Sequence, residues 1–339
     1  MKKNRILITG CNAGEIDSHI QFIKQNNNSY IVGVDIVEST DTNVDKYYKV
    51  LRCNEKGYID QLIDICKKEK IDILIPTIDT ELEELSKAKE KFEPTKVAVM
   101  DYEILKQCNS KIKLYETLDQ KGIKTPEYRA VYSKEDIIYL LKNKSVIKAP
   151  YGFGSRGIRI IDNERDYYND FLNKKPNNKY IKSEDFIKIL PETFELLVME
   201  YLDGSEYSTE IYAKDGKTIV IVGVENVEVD NSTPYESIIK YDKEAYEISK
   251  EIVSKLNLSG YIGIDFKRNK GKLEIMEVNP RVTATYPLIC KSGVNIIDIG
   301  IKDMLNEPIT FNQYNETKIN KIKMKRKVKE VYYKGNEGN

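Results

Sequence analysis

The sequence predicts an α/β domain followed by an α+β region. Over roughly the first hundred residues, short apolar runs alternate with amphipathic helical stretches. Beyond about residue 125 the apolar runs are joined by Gly-bearing turns instead of helices. The change falls after a helical segment that stops at Gly122, ahead of Thr125-Pro126. Strands separated by helices build parallel sheets, whereas strands joined by tight turns build antiparallel ones.

In chain order, Arg5–Thr9 is the first predicted strand, turning at Gly10-Cys11-Asn12-Ala13-Gly14 into a helical pattern that runs to about Asn26. Tyr30–Asp35 and Ile71–Pro76 are the next strands, with the amphipathic helix Tyr58–Glu69 before the latter, and Lys96–Met100 adds one more. A doubly wound, Rossmann-like domain therefore ends near residue 105. A helix follows from Ser110, whose hydroxyl suits an N-cap, to Gly122, which suits a C-terminal stop. The segments 145–149, 157–162, 196–201, 206–213 and 218–224 then read as short strands. Past Asn315 the chain is Lys-rich; Val328–Tyr333 reads as an edge strand and residues 335–339 as disordered.

Bulk properties narrow the function. The 339 residues suit two or three packed units, and 40% hydrophobic content suits a globular enzyme. With 54 basic against 54 acidic side chains, the chain lacks the basic excess of a nucleic-acid binder. The five cysteines form no CxxC pair, which fits reduced thiols, and the single histidine, His19, excludes a multi-His metal centre. No apolar run approaches membrane-spanning length and no signal-peptide pattern opens the chain, so the expectation is a cytoplasmic protein without membrane or nucleic-acid partners.

Residues 151–157 contain GxGxxG. A dinucleotide site needs a helix after such glycines, yet the β-branched run Ile158-Arg159-Ile160-Ile161 follows. The loop is thus strand–turn–strand, able to lay backbone N–H groups over nucleotide phosphates, with Lys148 placed to reach the same phosphates. The alternative is a plain glycine hairpin beside a surface lysine. An earlier Gly10-x-x-x-Gly14, with Asp35 closing the second strand, partly matches an NAD fingerprint, and Tyr246-x-x-x-Lys250 would extend that to a reductase. Ile16 stands where the third glycine is expected, so a tight turn in a Rossmann-like domain is the simpler reading.

The most informative segment is 260–281. A turn at Asn269-Lys270-Gly271 folds it into a hairpin that brings Asp265 opposite Glu277. Side-chain alternation then puts Ile275, Glu277 and Asn279 on one face and turns Met276 and Val278 away. Facing carboxylates repel unless a cation sits between them. Oxygen donors alone suit Mg²⁺ or Mn²⁺ shared with phosphate oxygens, and Arg281 follows where a guanidinium can stabilise a transferring phosphoryl group. The alternative is an exposed charged hairpin ending in a Pro turn.

Taken in order, these features resemble the ATP-grasp superfamily over roughly residues 1–310. The resemblance rests on Ser110-Lys111 opening a helix, Lys148-Ala149-Pro150 before the glycine loop, Met199-Glu200-Tyr201-Leu202-x-Gly204-x-Glu206, and Asp265, Glu277 and Asn279 ahead of Arg281. It implies a Rossmann-like domain over 1–105 and a two-subdomain ATP-grasp fold. The small subdomain with the glycine loop would span 106–198, the large one with the metal site 199–315, and a basic tail 316–339. It implies ATP bound by Lys111, Lys148, Gly152, Gly154, Ser155, Gly157, Glu200, Tyr201, Leu202 and Glu206, with the adenine on the 200–202 backbone and the ribose on Glu206. The metal set would be Asp265, Glu277 and Asn279, with Arg281 catalytic.

Val224-Glu225-Asn226 and Asn279-Pro280-Arg281-Val282 are similar to carbamoyl-phosphate-synthase-like proteins, and Thr283-Ala284-Thr285 to single-chain carboxylate–amine ligases. The implied reaction phosphorylates a small-molecule carboxylate to an acylphosphate that an amine captures, releasing ADP and phosphate. His19 and Tyr286 are candidates for the substrate pocket. By analogy a homodimer through the first domain is expected. The alternatives are phosphorylation of bicarbonate or carbamate, an NAD-linked oxidoreductase, and an ATP-binding module without turnover.

Overall fold

A parallel sheet forms the first unit, from β1 (Asn4–Ile8), β2 (Ser29–Asp35), β3 (Lys46–Lys49), β4 (Ile73–Ile75) and β5 (Lys96–Val97), in the order β3-β2-β1-β4-β5. In this computed structural model, residues 3–14, 16–26, 29–38, 42–141, 144–152, 154–176, 179–230, 233–309 and 314–327 are described. Alternation along β1 divides its side chains between two cores. Ile6 and Ile8 pack with Ile20 and Ile23 of the helix Ile16–Asn26, while Leu7 packs with Leu62 and Cys66 of the helix Tyr58–Glu69. The chain order around β1 reverses, as in doubly wound sheets that bind ligands at the carboxyl ends of their strands.

The expected strand Lys96–Met100 is only two residues long. Val99 N donates to the Val97 carbonyl at 2.9 Å, and this local turn bends the chain out of the ladder.

A second sheet follows, from β6 (Tyr128–Val131), β7 (Ser145–Lys148), β8 (Ile158–Ile161), β9 (Tyr180–Ile181) and β10 (Leu196–Glu200), in the order β6-β10-β7-β8-β9. The third, antiparallel throughout, contains β11 (Glu206–Lys214), β12 (Lys217–Asp230), β13 (Thr233–Ile239), β14 (Gly260–Asn269), β15 (Lys272–Asn279) and β16 (Lys323–Lys325), ordered β15-β14-β11-β12-β13-β16. The Lys-rich tail thus supplies a strand at 323–325, while the segments 328–333 and 335–339, read from sequence as strand and disorder, lie outside the described residues. The helix Ile296–Met304 joins Ile6, Ile8 and the helix Ile16–Asn26 in one apolar cluster with β11 and β12, which docks the first unit on the third sheet. Among the described residues no helix is long and apolar enough to cross a membrane.

Candidate active site

One cavity of about 960 Å³ lies where the three sheets meet, and every unit contributes to its wall. The β7–β8 hairpin brings the glycine loop to it. Ala149 N donates to Gly157 O at 2.7 Å to close the loop, and Gly157 has φ of 73°, a conformation an L side chain resists. A Cβ there would meet the Ala149 Cβ at 2.7 Å, so the close approach itself requires glycine.

Lys111 opens the helix Lys111–Gln120, whose N-cap is Ser110; the Ser110 hydroxyl accepts from Lys113 N at 3.4 Å. Its backbone N–H donates to Pro150 O at 2.8 Å, and its ammonium donates to Gly152 O at 3.0 Å while standing 3.6 Å from the Glu277 carboxylate. Lys148, the last residue of β7, is 4% exposed. Burial pulls its ammonium down to about 8, against the opposing attraction of Glu277.

The chain from 200 to 202 crosses the cavity wall between the second and third sheets. The Glu200 carboxylate accepts from Glu127 N at 3.1 Å and from Asn269 Nδ2 at 2.8 Å, so its side chain braces this crossing. Tyr201 lies under the Lys144 ammonium, 4.0 Å from the ring centroid, and Leu202 is buried. Glu206 lines the cavity and pairs with Lys267 at 3.4 Å.

The hairpin β14–β15 forms about Lys270-Gly271, both with positive φ, and pairs Asp265 with Glu277. A register shift follows directly, because Phe266 pairs with Ile275. Met276 is the extra residue of this bulge and lines the cavity, while Ile275 is buried in the core, which reverses the facing expected for these two side chains. Asn279 Nδ2 donates to Asp265 Oδ2 at 2.8 Å, and the Ser208 hydroxyl donates to Asp265 Oδ1 at 2.5 Å. Behind it, Asn226 Nδ2 donates to Ser208 Oγ and the Ser237 hydroxyl donates to Asn226 Oδ1, both at 2.9 Å.

Burial and the neighbouring Glu277 push the Asp265 carboxyl well above the usual carboxylate range. Burial also works against charge on Glu277, but Lys111, Lys148 and Arg281 outweigh it and hold that carboxyl below its ordinary value. Two carboxylates and an amide are hard oxygen donors that fit Mg²⁺ or Mn²⁺. Among the described residues no group of three or more His, Cys, Asp or Glu side chains has the arrangement of a metal site, so the amide of Asn279 is needed to complete any such set.

Arg281 lies at the junction with the first unit. Its Nε and Nη2 donate to the two carboxylate oxygens of Asp79 at 2.5 and 2.8 Å, and Nη1 donates to Val282 O at 3.0 Å. His19 also reaches across, its Nε2 donating to Thr283 O at 2.9 Å, and it lines the cavity. Tyr286, read from sequence as a substrate contact, is placed elsewhere. It is fully buried in the core, where its hydroxyl donates to Ile211 O at 2.8 Å and accepts from Ile262 N at 3.0 Å.

The sequence reading also missed Asp79, Glu210, Ser208 and Asn226. Ser208 and Glu210 lie in the predicted strand 206–213, and Asn226 in Val224-Glu225-Asn226. In the early glycine turn the amides of Cys11, Asn12 and Ala13 are already engaged within the protein. Asp35 accepts from Asn12 N at 3.0 Å and from Ile36 N at 2.7 Å, and Cys11 N donates to Val34 O. Tyr246 is buried with its hydroxyl on Gly223 N, and Lys250 pairs with Glu316.

Two family models match the chain. One, described as "ATP-grasp in the biosynthetic pathway with Ter operon", covers residues 192–330, and a PylC-like N-terminal domain covers 6–100. The carbamoyl phosphate synthase large chain of Clostridium botulinum is 28% identical over 270 residues, which is 74% of this chain and 23% of that protein. The chain therefore spans about a quarter of the length of the curated relatives it matches. N5-carboxyaminoimidazole synthetase from Staphylococcus aureus, solved with ADP, superposes with a TM-score of 0.67 at 18% identity, covering 91% of this chain and 79% of that one. L-amino acid ligase from Bacillus licheniformis gives 0.66 at 14% identity, covering 90% and 75%. At these identities the structural likeness establishes the fold.

Proposed function

We propose that the chain is an ATP-grasp enzyme, an ATP-dependent ligase that joins a carboxylate to an amine; the family model over 192–330 and the fold shared with ATP-grasp enzymes support this reading. The observation that carries this reading is the convergence in one cavity of the Asp265–Glu277–Asn279 hairpin, the lysines 111 and 148 and Arg281. An acidic, oxygen-only set facing two lysines is suited to a nucleotide's phosphates and little else of comparable size.

In this reading the 200–202 backbone receives the adenine and Glu206 the ribose hydroxyls. Lys111, Lys148 and the amides of Gly152, Gly154, Ser155 and Gly157 neutralise phosphate oxygens. Asp265, Glu277 and Asn279 would hold Mg²⁺ or Mn²⁺, which supplies charge neutralisation at the phosphates when bound. The substrate carboxylate attacks the γ-phosphorus in line and ADP leaves. The glycine loop excludes water from the acylphosphate. An amine nitrogen then attacks the acyl carbon, the C–O bond to phosphate breaks, and the amine proton leaves with the phosphate. Arg281 stabilises the oxyanion in between. The boundaries near 105 and 198, a cytoplasmic location and a homodimer belong to the same proposal.

Phosphorylation of bicarbonate or carbamate is a second reading, favoured by the identity to carbamoyl phosphate synthase. The oxidoreductase reading is disfavoured by the engaged amides around Asp35. The test is ADP release with a panel of carboxylic acids, bicarbonate included, and amines, with Glu277→Gln as control. Mg-dependent, acid-stimulated release that the variant loses supports a ligase, and bicarbonate alone as stimulant selects the second reading. ATP that binds while no combination stimulates release would sink the ligase reading and leave a non-catalytic module.

A further inference from the structure

Asp79 comes from the first unit, 202 residues before the arginine it holds. A guanidinium has five N–H donors, and here three are engaged: Nε and one on Nη2 by Asp79, one on Nη1 by Val282 O. One N–H therefore remains on each terminal nitrogen. These two remaining donors can reach a carboxylate or an oxyanion. Arg281 and Asp79 both line the cavity and are about a fifth and a quarter exposed.

The turn bearing Asp79 is itself held from below. Glu81 is fully buried and accepts from the Thr9 hydroxyl, from the Tyr58 hydroxyl and from Ile78 N at 3.2 Å. Thr77 N donates to Thr9 Oγ1 at 3.0 Å and the Thr77 hydroxyl donates to Thr9 O at 2.8 Å. The carboxyl ends of β1 and β4 thus fix the 77–81 turn at several points, and through it the plane of the Arg281 guanidinium.

We infer that Asp79 is a positioning residue: the first unit aims Arg281 so that its remaining N–H donors meet the acyl group undergoing phosphorylation. This inference rests on the ligase reading. An arginine tethered only by its aliphatic stem would sample several rotamers, and misplacing a catalytic group by about 1 Å costs on the order of a hundredfold in rate. The competing account makes the pair a simple brace between two units, which would affect stability and leave substrate handling untouched.

The full-length chain is tested by positional isotope exchange in ATP labelled at the β–γ bridge oxygen, with bicarbonate and the twenty common amino acids as probe carboxylates and no further amine. Exchange reports reversible phosphoryl transfer to the probe carboxylate, a step ahead of any capture by an amine. Asp79→Asn and Asp79→Ala are expected to bind ADP, by calorimetry, within about twofold of wild type. They should lower carboxylate-dependent exchange, as kcat/KM for the probe, by at least about tenfold, with partial recovery in Asp79→Glu. On an Arg281→Ala background, Asp79→Ala should have no further effect. Wild-type exchange in Asp79→Ala, or an unchanged cost of Asp79→Ala on the Arg281→Ala background, overturns the assignment. If Asp79→Ala fails to fold, Asp79→Asn, which keeps the shape, decides on the same readouts. Should the wild-type chain itself show no exchange with any probe, the ligase reading fails and takes this role with it.

Discussion

Glu210→Gln should make the protein's stability less dependent on pH by an amount that can be worked from the structure. Glu210 sits on β11 opposite Gly263 of β14 and is 2% exposed. Its Oε1 accepts from the Thr285 hydroxyl, and its Oε2 has no hydrogen-bond partner among the described residues. Burial raises its carboxyl from 4.5 to about 7, with Thr285, Thr283 and Arg281 pulling the other way. A carboxyl raised in the folded state contributes stability in full below its unfolded value and loses it as pH rises through the folded value. Between pH 4.5 and 7 the loss amounts to about 3 kcal/mol. Glutamine keeps an acceptor for Thr285 and cannot ionise. Its amide costs about 1–3 kcal/mol if it buries an unpaired N–H, but that cost is the same at every pH. The informative quantity is therefore the variant-minus-wild-type stability at pH 5 compared with pH 8, from denaturant unfolding monitored by the same probe. The variant should gain about 2–3 kcal/mol on wild type across that interval. A difference that stays constant within about 0.5 kcal/mol would show that Glu210 does not titrate in this range, and the electrostatic reading of the pocket floor would be wrong.

Three further outcomes follow from the same geometry. Because burial holds the Lys148 ammonium down at about 8, calorimetric ADP affinity should fall by up to about tenfold per pH step above 8, and Lys148→Met should bind more weakly at pH 7 with no such fall. Gly263→Ala should lose about 1–3 kcal/mol in unfolding experiments, since the added Cβ would stand 2.6 Å from Thr283 Cγ2 and 3.0 Å from Glu210 Oε2. Tyr286→Phe should lose about 1–3 kcal/mol by leaving the buried Ile262 N unpaired, while ADP affinity by calorimetry stays at the wild-type value.

What could be read from the sequence was local in origin. The glycine loop, the Ser110 cap and the Lys270-Gly271 turn each depend on residues within a few positions, so composition alone indicates strand, cap or hairpin. The facing of Met276 and Ile275 was misjudged because alternation assumes an unbroken ladder, and a bulge leaves no mark on composition. His19 and Tyr286 are both substrate-pocket candidates from sequence, and His19 lines the cavity whereas Tyr286 lies in the core. His19 sits on a helix face that turns toward the 281–285 loop, whereas Tyr286 points between β11 and β14. Asp79 was illegible for another reason: nothing near it in the chain distinguishes it from Glu83 or Glu84, and its importance comes entirely from an arginine in a distant segment.

The charges at the centre of the cavity explain why the first unit and the later sheets have to be considered together. Lys111, Lys148 and Arg281 converge on Glu277, and all three lower its carboxyl. Three cations around one ionised carboxylate would leave an excess of buried positive charge, which folding disfavours unless it is paired. Asp79 offsets that excess by pairing with Arg281 through both oxygens, while Ser208 and Asn279 hold Asp265 in place. Without the first unit, the rest of the chain would supply the lysines, the acidic hairpin and Arg281, but not the carboxylate that pairs with the guanidinium through both oxygens. Removing one partner of such a pair costs more than the pair contributes, because the other charge is left uncompensated. The first unit is therefore part of the electrostatics of the site as well as a wall of the cavity, and Arg281 carries the ion pair that joins it to the rest.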